Sequence, residues 1–349
     1  MIPPRPRPAG HRQTHDAWWS GRHPRRVGRW ARAGFVTGRL LLLSWLLALW
    51  SRWKLARLLG PAPSRGGPGV VLVATYRGDP CLLPSFLAHH RRLGIAEHVF
   101  LDLSVAGDLA ALLRHEPGCA VWRPRGRWHP KQSLPWLNHL RHCHAAGRWC
   151  LSLEVGDLFV YARCESRPIR GLTDFLDTEH RDHAFALVIE MYAESAIADL
   201  VPDPAQDPMQ VMPWFDPSGY VTSEPLPDRS VAVRGGLRRR TLFRSTPRQS
   251  PTISRIPLVR WRRFYAYLDG TRLMRPTRLN TPHSPTHSSP TACLLRFALL
   301  GAATGHGNLP AHAASERLRS RRLKHDASRR YADSADLVEC GLLNPGQWF

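Results

Sequence analysis

From Gly69 to Tyr192 the chain alternates short apolar, β-branched runs with segments whose apolar residues recur at helical spacing. That alternation leaves few folds open. The run GVVLVATY, ending at Tyr76, is too short and too uniformly apolar for anything but a buried strand. Further strands are expected at His98–Asp102, Cys119–Arg123, Trp149–Val155 and Ala184–Tyr192. Between them, Leu83, Phe86, Leu87, His90 and Leu93 share one helical face, which Gly94 ends. Helices are also expected at Asp108–Arg114, Gln132–Ala145 and Arg170–Thr178. Strand–helix alternation with short linkers implies an α/β fold, a mainly parallel twisted sheet with helices on both faces. Ligands of such sheets bind beyond the C-terminal ends of the strands. Those ends carry Arg77 and Asp79, then Asp102, then Glu154 and Asp157.

The flanks divide the chain. Residues 1–33, rich in Pro, Arg and His, read as a disordered basic leader. A hydrophobic or amphipathic helix is expected within 34–60, and the breaker PAPSRGGPG then opens a domain at 69–270. Residues 271–349 read as a C-terminal extension with a flexible loop at Arg275–Pro290 and an Arg-rich helix at Glu316–Tyr331. The apolar stretch Leu40–Trp50 is shorter than the ~20 residues a spanning helix needs. It is followed by Arg-Trp-Lys rather than by a cleavage site. Two readings stay open: a helix buried on the core, or an interfacial helix held by Trp45, Trp50, Trp53 and the cations around them. The expected location is the cytoplasm, with peripheral contact at the inner face of the membrane.

The formal net charge of +22 points to polyanionic partners, either nucleotide phosphates or anionic lipid heads. Only Lys54, Lys131 and Lys324 are lysines, so arginine carries nearly all of it. No nucleic-acid motif accompanies the charge, and nucleic acid is not an expected partner. Seven cysteines without a CxxC spacing argue for reduced thiols rather than a disulfide framework or a zinc ribbon.

Several groups could carry chemistry. Arg77 and Asp79, in TYRGDP, could hold a nucleotide's phosphate charge and its base, or form a solvated turn. Asp102 could accept from a ribose or base, or cap the following segment. In LEVGDLFVY an acidic pair closes a buried strand, which is costly unless it holds a cation or donors. Mg²⁺ or Mn²⁺ bridging a diphosphate to Glu154 and Asp157 would satisfy it. Three residues apart on a regular strand these carboxylates face opposite ways, so they converge only if the chain turns at Gly156. The segments GGLRRR and SRIPLVRW offer Arg238 and Arg255 to a phosphate, or are solvated basic loops. His142 and His144 diverge on a helix, so the histidines near them are not expected to ligate a metal.

Together these segments resemble bacterial family-2-like glycosyltransferases of the GT-A type. The resemblance rests on Arg77, Gly78 and Asp79; on Leu83, Pro84, Phe86, Leu87, His89, His90, Leu93 and Gly94; and on Asp102. It continues through Lys131, Gln132, Leu137 and Asn138, then Gly147-Arg148-Trp149-Cys150-Leu151 before Glu154, Gly156 and Asp157. Gly235–Arg240 and Ser254–Trp261 match two later segments. The departures fall on the family's metal side: Glu154 and Gly156 stand for its two aspartates, and Arg272 and Arg296 for two histidines.

The resemblance implies a GT-A-like domain moving a sugar from a nucleotide-sugar donor to a glycan or lipid acceptor. Arg77, Asp79, Asp102, Arg238 and Arg255 would hold the donor, and Glu154 and Asp157 the Mg²⁺ or Mn²⁺. Glu190, near the end of ALVIEMY, and Asp157 are the catalytic candidates. The departures support an alternative, an inactive GT-A homologue that binds or scaffolds.

Overall fold

The computed structural model describes residues 46, 50–63, 66–126, 129, 132–282, 289–303 and 318–348. The basic leader lies outside these residues, as does the apolar stretch except for Leu46 and Trp50.

Nine strands form one sheet. In chain order they are β1 (Leu55–Leu59), β2 (Val70–Tyr76), β3 (Glu97–Asp102), β4 (Cys119–Pro124), β5 (Trp149–Glu154), β6 (Asp157–Tyr161), β7 (His183–Glu190), β8 (Ser254–Arg260) and β9 (Ala292–Arg296). Their order across the sheet is β1-β4-β3-β2-β5-β8-β7-β9-β6. The strands β4, β3, β2, β5, β7 and β9 run one way, and β1, β8 and β6 run against them. This is an α/β fold with a large mixed, mostly parallel central sheet, compatible with a Rossmann-like arrangement.

Alternation along β2 explains why both faces are covered. Val70, Leu72, Ala74 and Tyr76 enter one cluster with Phe86, Leu87, Phe100 and Leu109. Val71 and Val73 enter another with Val99, Leu101, Trp136 and Leu140. The first face is covered by α1 (Leu83–Arg92), α2 (Leu109–Leu112) and, beyond a loop, α4 (Ile169–Thr178); the second is covered by α3 (Ser133–His144). Pro84 fits the first turn of α1, where its missing N–H costs nothing. Gly94 ends that helix at φ +91°. Phe86 is fully buried, which contributes about 2–3 kcal/mol of apolar transfer.

Four expectations need correction. Residues 55–59, expected in a helix, form the edge strand β1 against β4, with Leu55 buried and Arg57 and Leu58 exposed, as suits an edge. The 271–349 segment is not an appendage: its β9 lies inside the sheet between β7 and β6. In the described part of the loop expected at Arg275–Pro290, Leu279 and Asn280 are buried, and the Asn280 side chain bonds Met274 and Asp228. In the described part of Glu316–Tyr331 only Leu318 and Arg319 are helical. The buried Leu318 and Leu323 are five apart, off the helical repeat, and Arg329–Arg330 pair with Trp214–Phe215.

All seven cysteines are free. Among the described residues no helix is long and apolar enough to cross a membrane. Trp50 and Trp53 are exposed, with the Lys54 ammonium 5.1 Å from the centre of the Trp50 ring.

Candidate functional site

The strands that run together end at one edge of the sheet, and the titratable side chains collect there. The turn that organises them is Val155-Gly156, between β5 and β6. The Val155 N–H donates to the Thr75 carbonyl at 3.0 Å, and the Phe297 N–H donates to the Gly156 carbonyl at 2.9 Å. Gly156 has φ +106°, a conformation that L side chains rarely adopt, and a Cβ there would lie 2.9 Å from Leu82 Cδ1. The turn brings Glu154 and Asp157 to one guanidinium. Arg296 donates through Nε and Nη2 to the two Asp157 carboxylate oxygens, at 2.7 and 2.8 Å, and Nη2 is 3.9 Å from Glu154 Oε2. Arg77, one residue beyond β2, reaches Glu154 Oε1 at 3.7 Å.

Register accounts for this meeting. Arg296 lies opposite Asp157 on one side of β9 and opposite Glu190 on the other. Glu190 in turn accepts a short bond at Oε1 from Arg238 Nε, and no described residue bonds its Oε2. Arg238 belongs to α5 (Gly236–Thr241), where Arg240 pairs with Asp216 and Arg239 donates to the Gly219 carbonyl. Gly235 is pressed against the Tyr220 ring, so the Gly-Gly segment serves packing.

Arg255, near the start of β8, is half-buried. The β7–β8 ladder is interrupted between Arg255 and Leu258, where Pro257 has no N–H to give. Arg255 Nη1 donates to the Thr252 and Ser254 carbonyls at 2.9 and 2.7 Å. Burial, and then the nearby Arg296, push its guanidinium down to about 10. Glu154 shows the opposite balance. Burial works to raise its carboxyl, but Arg296, Arg77 and Arg255 outweigh that and hold it below the ordinary carboxylate range. For Arg296 burial works against the charge, and Asp157 more than compensates, so the guanidinium is a permanent cation.

Of the residues named from the sequence, the structure gathers Arg77, Glu154, Asp157, Glu190, Arg238 and Arg255 at one end of the sheet. The structure does not bring all candidates into that group. Asp102 is fully buried. Its Oδ1 accepts from the Ser104 N–H at 2.8 Å and the Ser104 hydroxyl at 2.6 Å, and its Oδ2 from Arg123 at 2.9 Å. Protein groups fill both oxygens, so Asp102 caps the following turn instead of facing a ribose. Asp79 is buried and accepts from the Cys81 N–H at 3.0 Å. Each oxygen of Asp157 is bonded by Arg296, so this residue holds Arg296 and is a weaker base than an unpaired carboxylate. Arg296 entered the sequence reading only as a departure standing for a histidine, and its pairing with Asp157 was not foreseen. The signal was its place at the end of an apolar run opposite two acidic strand ends, which only the ladder register reveals.

No protein-family model matches this sequence, and a search of curated proteins finds no match. Among the described residues no group of three or more His, Cys, Asp or Glu side chains could hold a metal ion. The histidines of α3 are engaged elsewhere: His142 accepts from the Trp261 indole N–H at 3.1 Å, and His144 from that of Trp122 at 3.2 Å.

Proposed function

We propose that the chain is a GT-A-like glycosyltransferase that takes its sugar from a nucleotide-sugar donor and passes it to a glycan or lipid acceptor. The observation that carries this reading is the cluster of Arg77, Arg255 and Arg296 around Glu154 and Asp157 at the C-terminal strand ends, the position where α/β sheets take their ligands. Guanidinium groups suit a diphosphate leaving group, because its charge grows as the anomeric bond breaks. Glu190 supplies the base. Its Oε1 is fixed by Arg238, and its Oε2 carries no hydrogen bond from the described residues and is available to an acceptor hydroxyl. Asp157 acts through Arg296, which it orients.

The test is donor turnover. Purified protein is incubated with a panel of uridine, guanosine and thymidine diphosphate sugars, and release of nucleoside diphosphate is followed. Release with at least one donor, lost in Glu190→Gln, supports the reading. Absence of release with every donor and acceptor tried sinks it.

One observation favours a second reading, an inactive homologue that binds or scaffolds. Both carboxylates with a catalytic assignment, Asp157 and Glu190, are already held by arginine. Donor binding without any release of nucleotide would select that alternative.

A further inference from the structure

We propose that this crevice holds the diphosphate of its donor through arginine alone, without a divalent metal, and that Arg255 is the residue that takes the phosphate charge. The inference deepens the nucleotide-sugar reading and rests on it.

The residues do not suit Mg²⁺ or Mn²⁺. Both are hard cations that need several oxygen ligands with room for an octahedral shell. The first carboxylate, Asp157, has each oxygen bonded by Arg296. The second, Glu154, lies between Arg77 and Arg296. The position between them in sequence is Gly156, which has no side chain and a backbone that disfavours one. A divalent ion would have to displace a guanidinium from its own carboxylate and then sit among three cations. Arg296 already supplies a positive charge at that point.

The charges do not cancel. Arg77 and Arg296 reach Glu154 and Asp157, and Arg255, on the strand that runs antiparallel to β5 with Leu258 opposite Leu151, comes level with Glu154, so three guanidiniums share two carboxylates and one positive charge is in excess. Arg238 and Glu190 neutralise each other, as do Arg272 and Asp269. The excess falls on Arg255. Among the described residues no carboxylate is within ion-pair distance of it, and its hydrogen bonds go only to two backbone carbonyls through Nη1. Its Nε and Nη2 remain for a ligand.

Arg141 shows that arginine without a carboxylate need not mean a ligand. It is buried, but it donates to Ser152 Oγ at 2.9 Å and Asn138 Oδ1 at 3.2 Å and lies over the rings of Trp261 and Tyr267. Protein groups satisfy it. Arg255 differs because it has no side-chain partner among the described residues, and burial and Arg296 outweigh the attraction of Asp157 and Glu154. A half-buried guanidinium repelled by its neighbour is unfavourable unless an anion joins it. A diphosphate, with oxygens spaced for two-point bonding, would join Arg255 to Arg77 and Arg296.

Binding is measured by calorimetry with inorganic pyrophosphate, uridine diphosphate and guanosine diphosphate, each with excess EDTA and with MnCl₂. Pyrophosphate and at least one nucleoside diphosphate are expected to bind equally well in both. Arg255→Met should weaken binding about tenfold or more, the loss of a charge-assisted pair. Its melting temperature should be unchanged or higher, because the substitution removes a half-buried charge that no carboxylate pairs. A simply structural Arg255 would instead lower the melting temperature and leave affinity alone, and that result overturns the proposal. Binding that requires Mn²⁺ also overturns it, while donor turnover in the same buffer would leave the glycosyltransferase reading intact. Metal-free, Arg255-dependent binding of pyrophosphate without binding or use of any nucleotide sugar has the opposite effect. It keeps the arginine site and removes the donor reading. No binding of any probe in either buffer overturns the inference.

Discussion

Asp157 and Arg296 face each other across the β6–β9 ladder, and their side chains close a two-point ion pair at 2.7 and 2.8 Å. Asp157 is almost completely buried, and its partner is only slightly more exposed. An ion pair in such a place gains little over an apolar pair, because desolvation offsets most of the attraction. Its value lies in what it holds: a fixed cation at the end of β9, beside Glu154 and Glu190.

Breaking that pair from one side should be expensive. Arg296→Met leaves a buried carboxylate without a partner and is expected to cost about 3–5 kcal/mol in urea unfolding. The double variant Asp157→Leu/Arg296→Met removes both charges and should recover most of the loss. A single variant within about 0.5 kcal/mol of the parent would show that the pair is open to water in solution.

Asp102 should behave as a structural residue. Asp102→Asn disturbs the Ser104 turn and the Arg123 pair, at an expected cost of about 1–3 kcal/mol. Its affinity for nucleoside diphosphate should stay within about a factor of two of the parent, since the carboxylate is enclosed by protein donors. A large loss of affinity without loss of stability would return Asp102 to the ligand.

Among the described residues the Tyr76 hydroxyl has no hydrogen-bond partner, and the side chain is fully buried. Burial, then Asp108, Asp102 and Asp79, push the phenol well above its ordinary range. Removing an unpaired buried hydroxyl relieves a desolvation cost, so Tyr76→Phe is expected to be neutral or to stabilise by about 1 kcal/mol. A clear destabilisation in thermal unfolding would mean that the hydroxyl has a partner.

The order of the first strands and helices was legible because Val70–Tyr76, Leu83–Arg92 and Ser133–His144 each carry a period that burial dictates. The turn at Gly156 was legible too: two carboxylates three apart can share a cation only if the chain reverses between them. What could not be read was register. Arg296 meets Asp157 and Glu190 because of where β9 inserts, and β9 is 139 residues from its partner Asp157 in sequence. Unread register also hid the enclosure of Asp102, whose Arg123 partner comes from the neighbouring strand β4. The Arg-rich stretch before Tyr331 misled for another reason. Arginine favours helices, but the stretch's buried Leu318 and Leu323 are five apart and make no helical stripe against the core.

Stability should fall on mild acidification. Burial lowers His89 and His144 to about 4. Each is therefore neutral in the fold and takes a proton more readily once unfolded, where its value is about 6.5. Between those values the unfolded chain binds more protons, so stability rises with pH. The contribution is complete above about pH 6.5 and is lost as pH falls toward about 4, by up to about 3 kcal/mol for each histidine. Urea midpoints at pH 7 and pH 5 measure it. His89→Gln should flatten the dependence, and an unchanged slope would mean that the ring is accessible to protons in the fold.

Placing a second acid at Gly156 should not create a metal site. Gly156→Asp restores the carboxylate that the family resemblance implies, but at φ +106° and with its Cβ 2.9 Å from Leu82 Cδ1. The expected cost is about 1–3 kcal/mol of backbone strain, with Leu82 yielding somewhat because its terminus is flexible. The new carboxylate would also meet Arg296 and Arg77 before any ion, since both already reach Glu154. Mn²⁺ titration followed by electron paramagnetic resonance should find no site in the variant at micromolar protein. Combining Gly156→Asp with Arg296→His removes the resident cation and offers an imidazole in its place. If that double variant binds Mn²⁺ while Gly156→Asp alone does not, Arg296 is what keeps metal out. Tight Mn²⁺ binding by the single variant would show instead that the missing aspartate, and not the guanidinium, is the obstacle.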